Sequence, residues 1–224
     1  MSTDATDATD ATDATDATDA TDATDATDAT DATGPTDPTE IPTSHELPPL
    51  RRQPSLVLVH TGDGKGKSTS AFGVVLRAVA RDWPVAVVQF LKSGNWQAGE
   101  ERVCRDRLGV NWLAIGEGFT WDSDDLTEDE AVAGEAWRRA RALIEAGAHR
   151  LVVLDEITYP MNWGWIATDE VVEVLRTRPE QVNVVLTGRD APAALVDVAD
   201  TVTEMRKVKH AYDSGVRAKK GIDY

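Results

Sequence analysis

The chain holds a single cysteine, Cys104. One thiol excludes an intrachain disulfide and fits a reducing compartment, so a cytoplasmic protein is expected. Four histidines, His45, His60, His149 and His210, lie far apart and offer no zinc-site spacing. No apolar run approaches the roughly 20 residues needed to cross a bilayer. The N-terminus has no basic stretch leading into an apolar one, so neither a signal peptide nor a membrane partner is expected. Residues 1–50 contain no lysine or arginine. They carry thirteen of the 39 acids, and the remaining 26 face 23 basic residues, which reduces a net charge of −16 to −3. The acidity therefore belongs to the first 50 residues. Residues 51–224 carry no basic stripe, which argues against a nucleic-acid partner.

Those 50 residues are a different material from the rest. Residues 3–32 are ten copies of Thr-Asp-Ala, and residues 33–50 continue in Pro, Thr, Gly and acids. Such a stretch has little apolar surface to bury and repels itself, so a disordered tail is expected. A period of three is too short for a solenoid. Two parts are thus expected: a disordered repeat tail and linker over 1–50, and one working domain over 51–224 with room for a sizeable core.

That domain is organised around Leu56-Val-Leu-Val-His-Thr-Gly-Asp-Gly-Lys-Gly-Lys-Ser-Thr69. An apolar strand, a glycine-rich turn and a helix start make the layout of a phosphate-binding loop. Glycines let backbone N–H groups turn inward around phosphate oxygens, and the helix N-terminus adds partial positive charge. The candidate ATP-binding residues are Thr61, Gly62, Asp63, Gly64, Lys65, Gly66, Lys67, Ser68 and Thr69. Lys67 supplies a full charge, Lys65 a second one, and the Ser68 hydroxyl is placed to ligate Mg²⁺. Thr61 stands where the usual pattern has its first glycine.

Downstream, the pattern predicts a helix over 69–82, a strand over 85–91, a charged helix over 100–108 and a strand over 110–115. A polar loop, 116–125, carries Phe119 and Trp121. Thr127 with Glu130 resembles a capping box opening a helix through Ala146, which Gly147 ends. A strand over 150–157, a loop over 159–165, a helix over 168–178 and a strand over 182–187 come next. Asp190 is the expected N-cap of a short helix, and a last strand is expected over 199–208. Strands alternating with helices predict an α/β fold of the P-loop NTPase kind: a mostly parallel sheet with helices on both faces. Ligands on such sheets bind at the carboxyl ends of the strands.

Leu151-Val-Val-Leu-Asp-Glu156 ends a buried strand in two acids. It is the arrangement that delivers carboxylates to the Mg²⁺ of a bound nucleotide, so Asp155 and Glu156 join Ser68 as metal candidates. Arg189 is suited either to clamp phosphate or to balance buried acids, and spacing does not choose between them. Arg138, Arg139 and Arg141 read as a solvated helix face, and Trp83, Trp112 and Trp137 as packing. On these features alone, a kinase or ATPase that releases ADP fits as well as any other nucleotide enzyme.

Seven segments narrow the choice. His60-Thr-Gly-Asp-Gly-Lys-Gly-Lys-Ser-Thr69, Val88-Gln-Phe-Leu-Lys92, Gly118-Phe-Thr-Trp121, Val153-Leu-Asp-Glu-Ile-Thr-Tyr159, Leu186-Thr-Gly-Arg189, Val208-Lys-His-Ala-Tyr-Asp213 and Lys220-Gly-Ile-Asp-Tyr224 occur in this order. In this they resemble the P-loop type corrinoid adenosyltransferases, which act on cob(I)yrinic acid a,c-diamide or cob(I)alamin. The resemblance runs from about residue 54 to Tyr224. It implies that a Co(I) corrinoid attacks the 5′ carbon of ATP and that triphosphate leaves, in adenosylcobalamin biosynthesis or salvage. It gives Lys65 and Lys67 the catalytic role of stabilising the leaving triphosphate, with Mg²⁺ as cofactor. It makes Phe119 and Trp121 the corrinoid-binding platform that keeps cobalt four-coordinate. It further implies a homodimer, with residues 33–53 as candidate cover for the partner's site, and an electron donor such as a reduced flavoprotein. A module that carries a corrinoid and uses ATP only as a switch is the remaining alternative.

Overall fold

The computed structural model describes residues 51–91, 99–114 and 126–223. The expected tail and linker over 1–50 lie outside the described residues, as do Phe119 and Trp121.

Six parallel strands form one sheet: β1 (Val57–Thr61), β2 (Val85–Gln89), β3 (Asn111–Ala114), β4 (Leu151–Asp155), β5 (Asn183–Thr187) and β6 (Thr201–Glu204), in the order β3-β2-β4-β5-β1-β6. Among the described residues six helices accompany them: α1 (Lys67–Val79), α2 (Gly99–Leu108), α3 (Leu126–Glu145), α4 (Thr158–Asn162), α5 (Thr168–Thr177) and α6 (Ala193–Val198). A 3-10 turn, Ala211–Ser214, lies beyond β6.

The strands β2 and β4 are buried at every position. That is why they read as continuous apolar runs rather than alternating ones: helices cover both faces. Side chains alternate across the sheet by the two-residue period of a strand. On one face Val57, Val59, Val88, Val152, Leu154, Val184 and Leu186 pack with Ala136, Trp137, Ala140 and Ile144 of α3, Val171, Val174 and Leu175 of α5, and Leu195 of α6. On the other, Val85, Val87, Leu151, Val153 and Val185 pack with Ala71, Phe72, Val75 and Ala78 of α1 and Cys104 of α2. The same alternation directs Gln89, Asp155, Thr187 and His60, at the carboxyl ends of β2, β4, β5 and β1, to the α1 face.

Three expectations are corrected. The segment after β4 is not all loop: Thr158–Asn162 is a short helix, with Trp163 N–H donating to the Tyr159 carbonyl at 3.0 Å. Asp190 does not cap α6. It adopts φ 51°, and Pro192 holds the cap position without a side-chain bond. The last strand covers only Thr201–Glu204, exposed along its length as an edge, because the chain then turns across the glycine-rich loop. Trp112 and Trp137 are buried and Trp83 lies beneath the Arg150 guanidinium, 4.9 Å from the ring centre. Arg138, Arg139 and Arg141 lie exposed in ion pairs with Glu135, Glu145 and Glu170.

Candidate nucleotide site

The turn between β1 and α1 requires its glycines. Gly62 and Gly66 have φ 95° and 117°, a region that residues with a Cβ adopt only at a cost. Gly62 and Gly64 also lie against the backbone of Met205, with the Gly64 N–H donating to the Met205 carbonyl at 2.6 Å. A Cβ at Gly64 would stand 2.7 Å from that oxygen. One loop amide is therefore engaged by the chain after β6. The Asp63 carboxylate has a similar role: it accepts from the Lys207 N–H at 3.0 Å, a bond that lowers its pKa. Residues 205–207 thus form a strap against the loop.

Lys67 lies at the first position of α1 and folds back into the turn, donating to the carbonyls of Gly62 at 2.8 Å and Gly64 at 2.6 Å. Burial lowers its pKa, and the Arg189 charge adds to that effect. A cation held in a partly dry cradle beside a second cation is poised for an anion. The Lys65 ammonium is paired with the Asp223 carboxylate at 2.6 Å, and both line the same cavity as Lys67.

Thr61 also braces the loop from the end of β1. Its hydroxyl accepts from the Ala191 N–H at 3.1 Å, tying β1 to the loop that carries Arg189. Thr61 and Gly62 are not among the residues that line the cavity, although the Gly62 carbonyl holds the Lys67 ammonium. The site is a cavity of about 560 Å³ whose walls bring together Asp63, Gly64, Lys65, Gly66, Lys67, Ser68, Thr69, Asp155, Glu156 and Arg189. That volume suits a nucleotide-sized ligand.

The two acids at the end of β4 are held differently. Asp155 is buried, its Oδ2 accepting from Gln89 Nε2 at 2.9 Å and its Oδ1 from the Thr187 hydroxyl at 2.8 Å. Glu156 has φ 65°, a strained angle for a non-glycine residue, and its N–H donates to Thr187 Oγ1 at 2.9 Å. The chain reverses there, bringing the second carboxylate to the cavity wall. Arg189 comes directly after Gly188, whose φ is 142°, and its carbonyl accepts from the Thr158 hydroxyl at 2.6 Å.

Several lining residues had no site role in the sequence reading, although Gln89, Tyr159 and Tyr212 stand in the segments that carry the resemblance: Phe72, Gln89, Tyr159, Lys207 and Tyr212. Gln89 carried a signal, being the one polar residue in the run Val85–Leu91. Tyr159 has its pKa raised, first by burial and then by the Glu156 charge. His60 is buried below the loop, with its pKa lowered by that burial. Its Nδ1 is 3.3 Å from the Lys67 carbonyl, an acceptor, which puts the ring proton on Nδ1.

Ser68, Asp155 and Glu156 offer a hydroxyl and two carboxylates to one cavity. Hard oxygen donors in that number fit Mg²⁺, which keeps several waters and takes the rest of its shell from phosphate. Among the described residues no three His, Cys, Asp or Glu side chains cluster as a self-sufficient metal cage. No helix among them is long and apolar enough to cross a membrane.

Residues 53–224 match the family model described as ATP:corrinoid adenosyltransferase BtuR/CobO/CobP. The chain is 42% identical over 169 residues to a corrinoid adenosyltransferase of Escherichia coli K12, covering 75% of this chain and 85% of that protein. It is 43% identical over 175 residues to one from Pseudomonas aeruginosa, covering 78% and 86%. The corrinoid adenosyltransferase CobA of Salmonella typhimurium is 40% identical over 169 residues, covering 75% and 85%.

Proposed function

The chain belongs to the ATP:corrinoid adenosyltransferase family, and from that premise we propose that it transfers the 5′-deoxyadenosyl group of ATP to the cobalt of a corrinoid substrate and releases triphosphate. The observation that carries this reading is the meeting of Lys65, Lys67, Ser68, Arg189, Asp155 and Glu156 around one cavity in a chain of that family.

The chemistry asks the protein for placement and charge. Cobalt in the Co(I) state is a nucleophile without help from a general base. As its electron pair forms the Co–C5′ bond, the C5′–O bond breaks and the pair stays on the departing triphosphate oxygen. Charge thus develops on the triphosphate. Lys67, Lys65 and Arg189, with the remaining loop amides, would stabilise that charge from the cavity they line; preorganised cations of this kind act most strongly where water is excluded. Ser68, Asp155 and Glu156 would hold Mg²⁺, which neutralises phosphate charge when bound. Asp155 is kept in one orientation by Gln89 and Thr187. Phe119 and Trp121, in a loop of the family's Gly-Phe-Thr-Trp pattern, are suited to an apolar platform under the corrin ring. Assembly as a homodimer, with residues 33–53 covering the partner's site, and supply of electrons by a donor such as a reduced flavoprotein complete the proposal. So does a cytoplasmic location.

The test is anaerobic. The full chain is mixed with MgATP and chemically reduced cob(I)alamin, and the visible spectrum and phosphate product are tracked. A light-sensitive adenosyl-cobalt spectrum with released triphosphate is expected. ADP or orthophosphate without a new cobalt spectrum would instead indicate phosphoryl transfer, and tight corrinoid binding with intact ATP a carrier.

A further inference from the structure

One chain of hydrogen bonds joins four neighbouring strands, β3, β2, β4 and β5, at the nucleotide cavity. The Trp112 Nε1–H donates to Gln89 Oε1 at 3.1 Å, Gln89 Nε2 donates to Asp155 Oδ2 at 2.9 Å, and the Thr187 hydroxyl donates to Asp155 Oδ1 at 2.8 Å. Gln89 and Asp155 face each other in register across β2 and β4. Gln89, Trp112, Asp155 and Thr187 are all buried.

Chemistry sets the direction of this chain. An indole N–H only donates, so the amide atom facing Trp112 must be the oxygen. The amide nitrogen then faces the carboxylate. Trp112 is itself fixed, packed against Phe72 of α1 with ring centres 5.3 Å apart, and Phe72 lines the nucleotide cavity. A buried amide is costly unless both its ends are partnered, and here both are. The network ends at two donors, one on each oxygen of Asp155, which leaves that carboxylate no freedom to rotate.

We propose that Gln89 is a positioning residue of the nucleotide site, its amide locked by Trp112 so that its N–H end holds the Asp155 carboxylate at the divalent-cation position. The proposal rests on the reading of Asp155 and Glu156 as the acids that hold that cation. Partners in the shell behind a metal ligand set its orientation, and their loss costs about 10- to 100-fold in metal affinity.

The probe is Mn²⁺, titrated by electron paramagnetic resonance into the full chain with ATP present, with thermal unfolding recorded alongside. Gln89→Met keeps the volume but removes both hydrogen bonds. It is expected to weaken Mn²⁺ binding about 10- to 100-fold. Gln89→Met also strands the Trp112 N–H, so the double variant Gln89→Met, Trp112→Phe is measured too. If Gln89 positions Asp155, the double variant remains weak in Mn²⁺ although its unfolding temperature recovers. If Gln89 only satisfies Trp112, Mn²⁺ affinity recovers with stability, and the proposal is overturned. The double variant decides the matter even where the single variant does not fold. Asp155→Asn separates the two levels of the argument. Loss of Mn²⁺ in Asp155→Asn with parental binding in both Gln89 variants sinks the Gln89 role alone. Parental binding in Asp155→Asn sinks the cation reading and the proposal with it.

Discussion

The ammonium of Lys65 lies 2.6 Å from the carboxylate of Asp223, so a cation of the phosphate loop is neutralised by the C-terminal segment. The hydrogen bond from Lys65 is the largest cause of the lowered Asp223 pKa, ahead of the Lys219 backbone N–H. Both residues line the cavity. A triphosphate carries more charge than one carboxylate and competes for the same ammonium.

Asp223→Asn therefore frees Lys65 for the nucleotide. The pair is partly exposed, Lys65 at 49% and Asp223 at 23%, where such contacts are weak, so the expected gain in ATP affinity is modest, about two- to fivefold. Isothermal titration with ATP checks it. Weaker binding in the variant would make Asp223 a support for Lys65 rather than a competitor.

Two glycines of the site are required by their neighbours as well as by their own backbone. A Cβ at Gly188 would overlap the Thr158 hydroxyl and come within 3.0 Å of its Cβ, at a φ of 142°. Gly188→Ala should cost about 2–4 kcal/mol in urea unfolding and displace Arg189. Gly64→Ala would put a Cβ 2.7 Å from the Met205 carbonyl and 2.8 Å from the Arg206 backbone, neither of which yields as a flexible side chain does. It should push the strap off the loop and raise the ATP dissociation constant at least about tenfold. Parental ATP affinity in a folded Gly64→Ala protein would show that the strap does not shape the site.

The middle of the sheet was legible because strands such as β2 and β4 are buried on both faces, and burial writes apolar runs such as Leu151–Leu154 into the sequence. The phosphate loop was legible because its backbone needs glycine where few other residues fit. What escaped was non-local. No local signal says that Met205 will lie against Gly64, or that Thr61 will hold Ala191 across 130 positions. Helix α4 escaped because Pro160 and Gly164, in a segment with Asn162, read as a turn, whereas tertiary burial of Pro160 and Met161 holds one helical turn there. Asp190 is the right residue type for a cap, but it took the left-handed conformation that turns the chain toward α6.

Trp121 makes the corrinoid part of the proposal testable on its own. If its indole excludes a lower axial ligand from cobalt, Trp121→Ala should slow adenosylation that starts from Co(II) far more than adenosylation from chemically pre-reduced Co(I). A difference of at least about tenfold is expected, since each tenfold is 1.4 kcal/mol and an indole can bury that much apolar surface. Stopped-flow spectra from both starting states give the ratio. Equal losses would assign Trp121 to general corrinoid binding.

The lowered pKa of Lys67 gives the free enzyme a pH signature. Only the ammonium form attracts triphosphate, and burial together with the Arg189 charge disfavours that form. As pH rises through the lowered pKa, Lys67 sheds its proton and ATP affinity falls, earlier than an ordinary lysine near pH 10.4 would allow. Below that pKa the charge is present and affinity is flat, because the terminal phosphate has already ionised by about pH 7. Equilibrium binding of ATP from about pH 7 to about 10 should thus show an alkaline decline. Lys67→Arg identifies its source. A guanidinium stays charged over the whole range, so this variant should bind ATP more weakly at neutral pH, through its altered shape, yet lose the decline. If the decline persists in Lys67→Arg, another cation of the cavity sets it, and Lys67 is not the group whose charge the triphosphate reads.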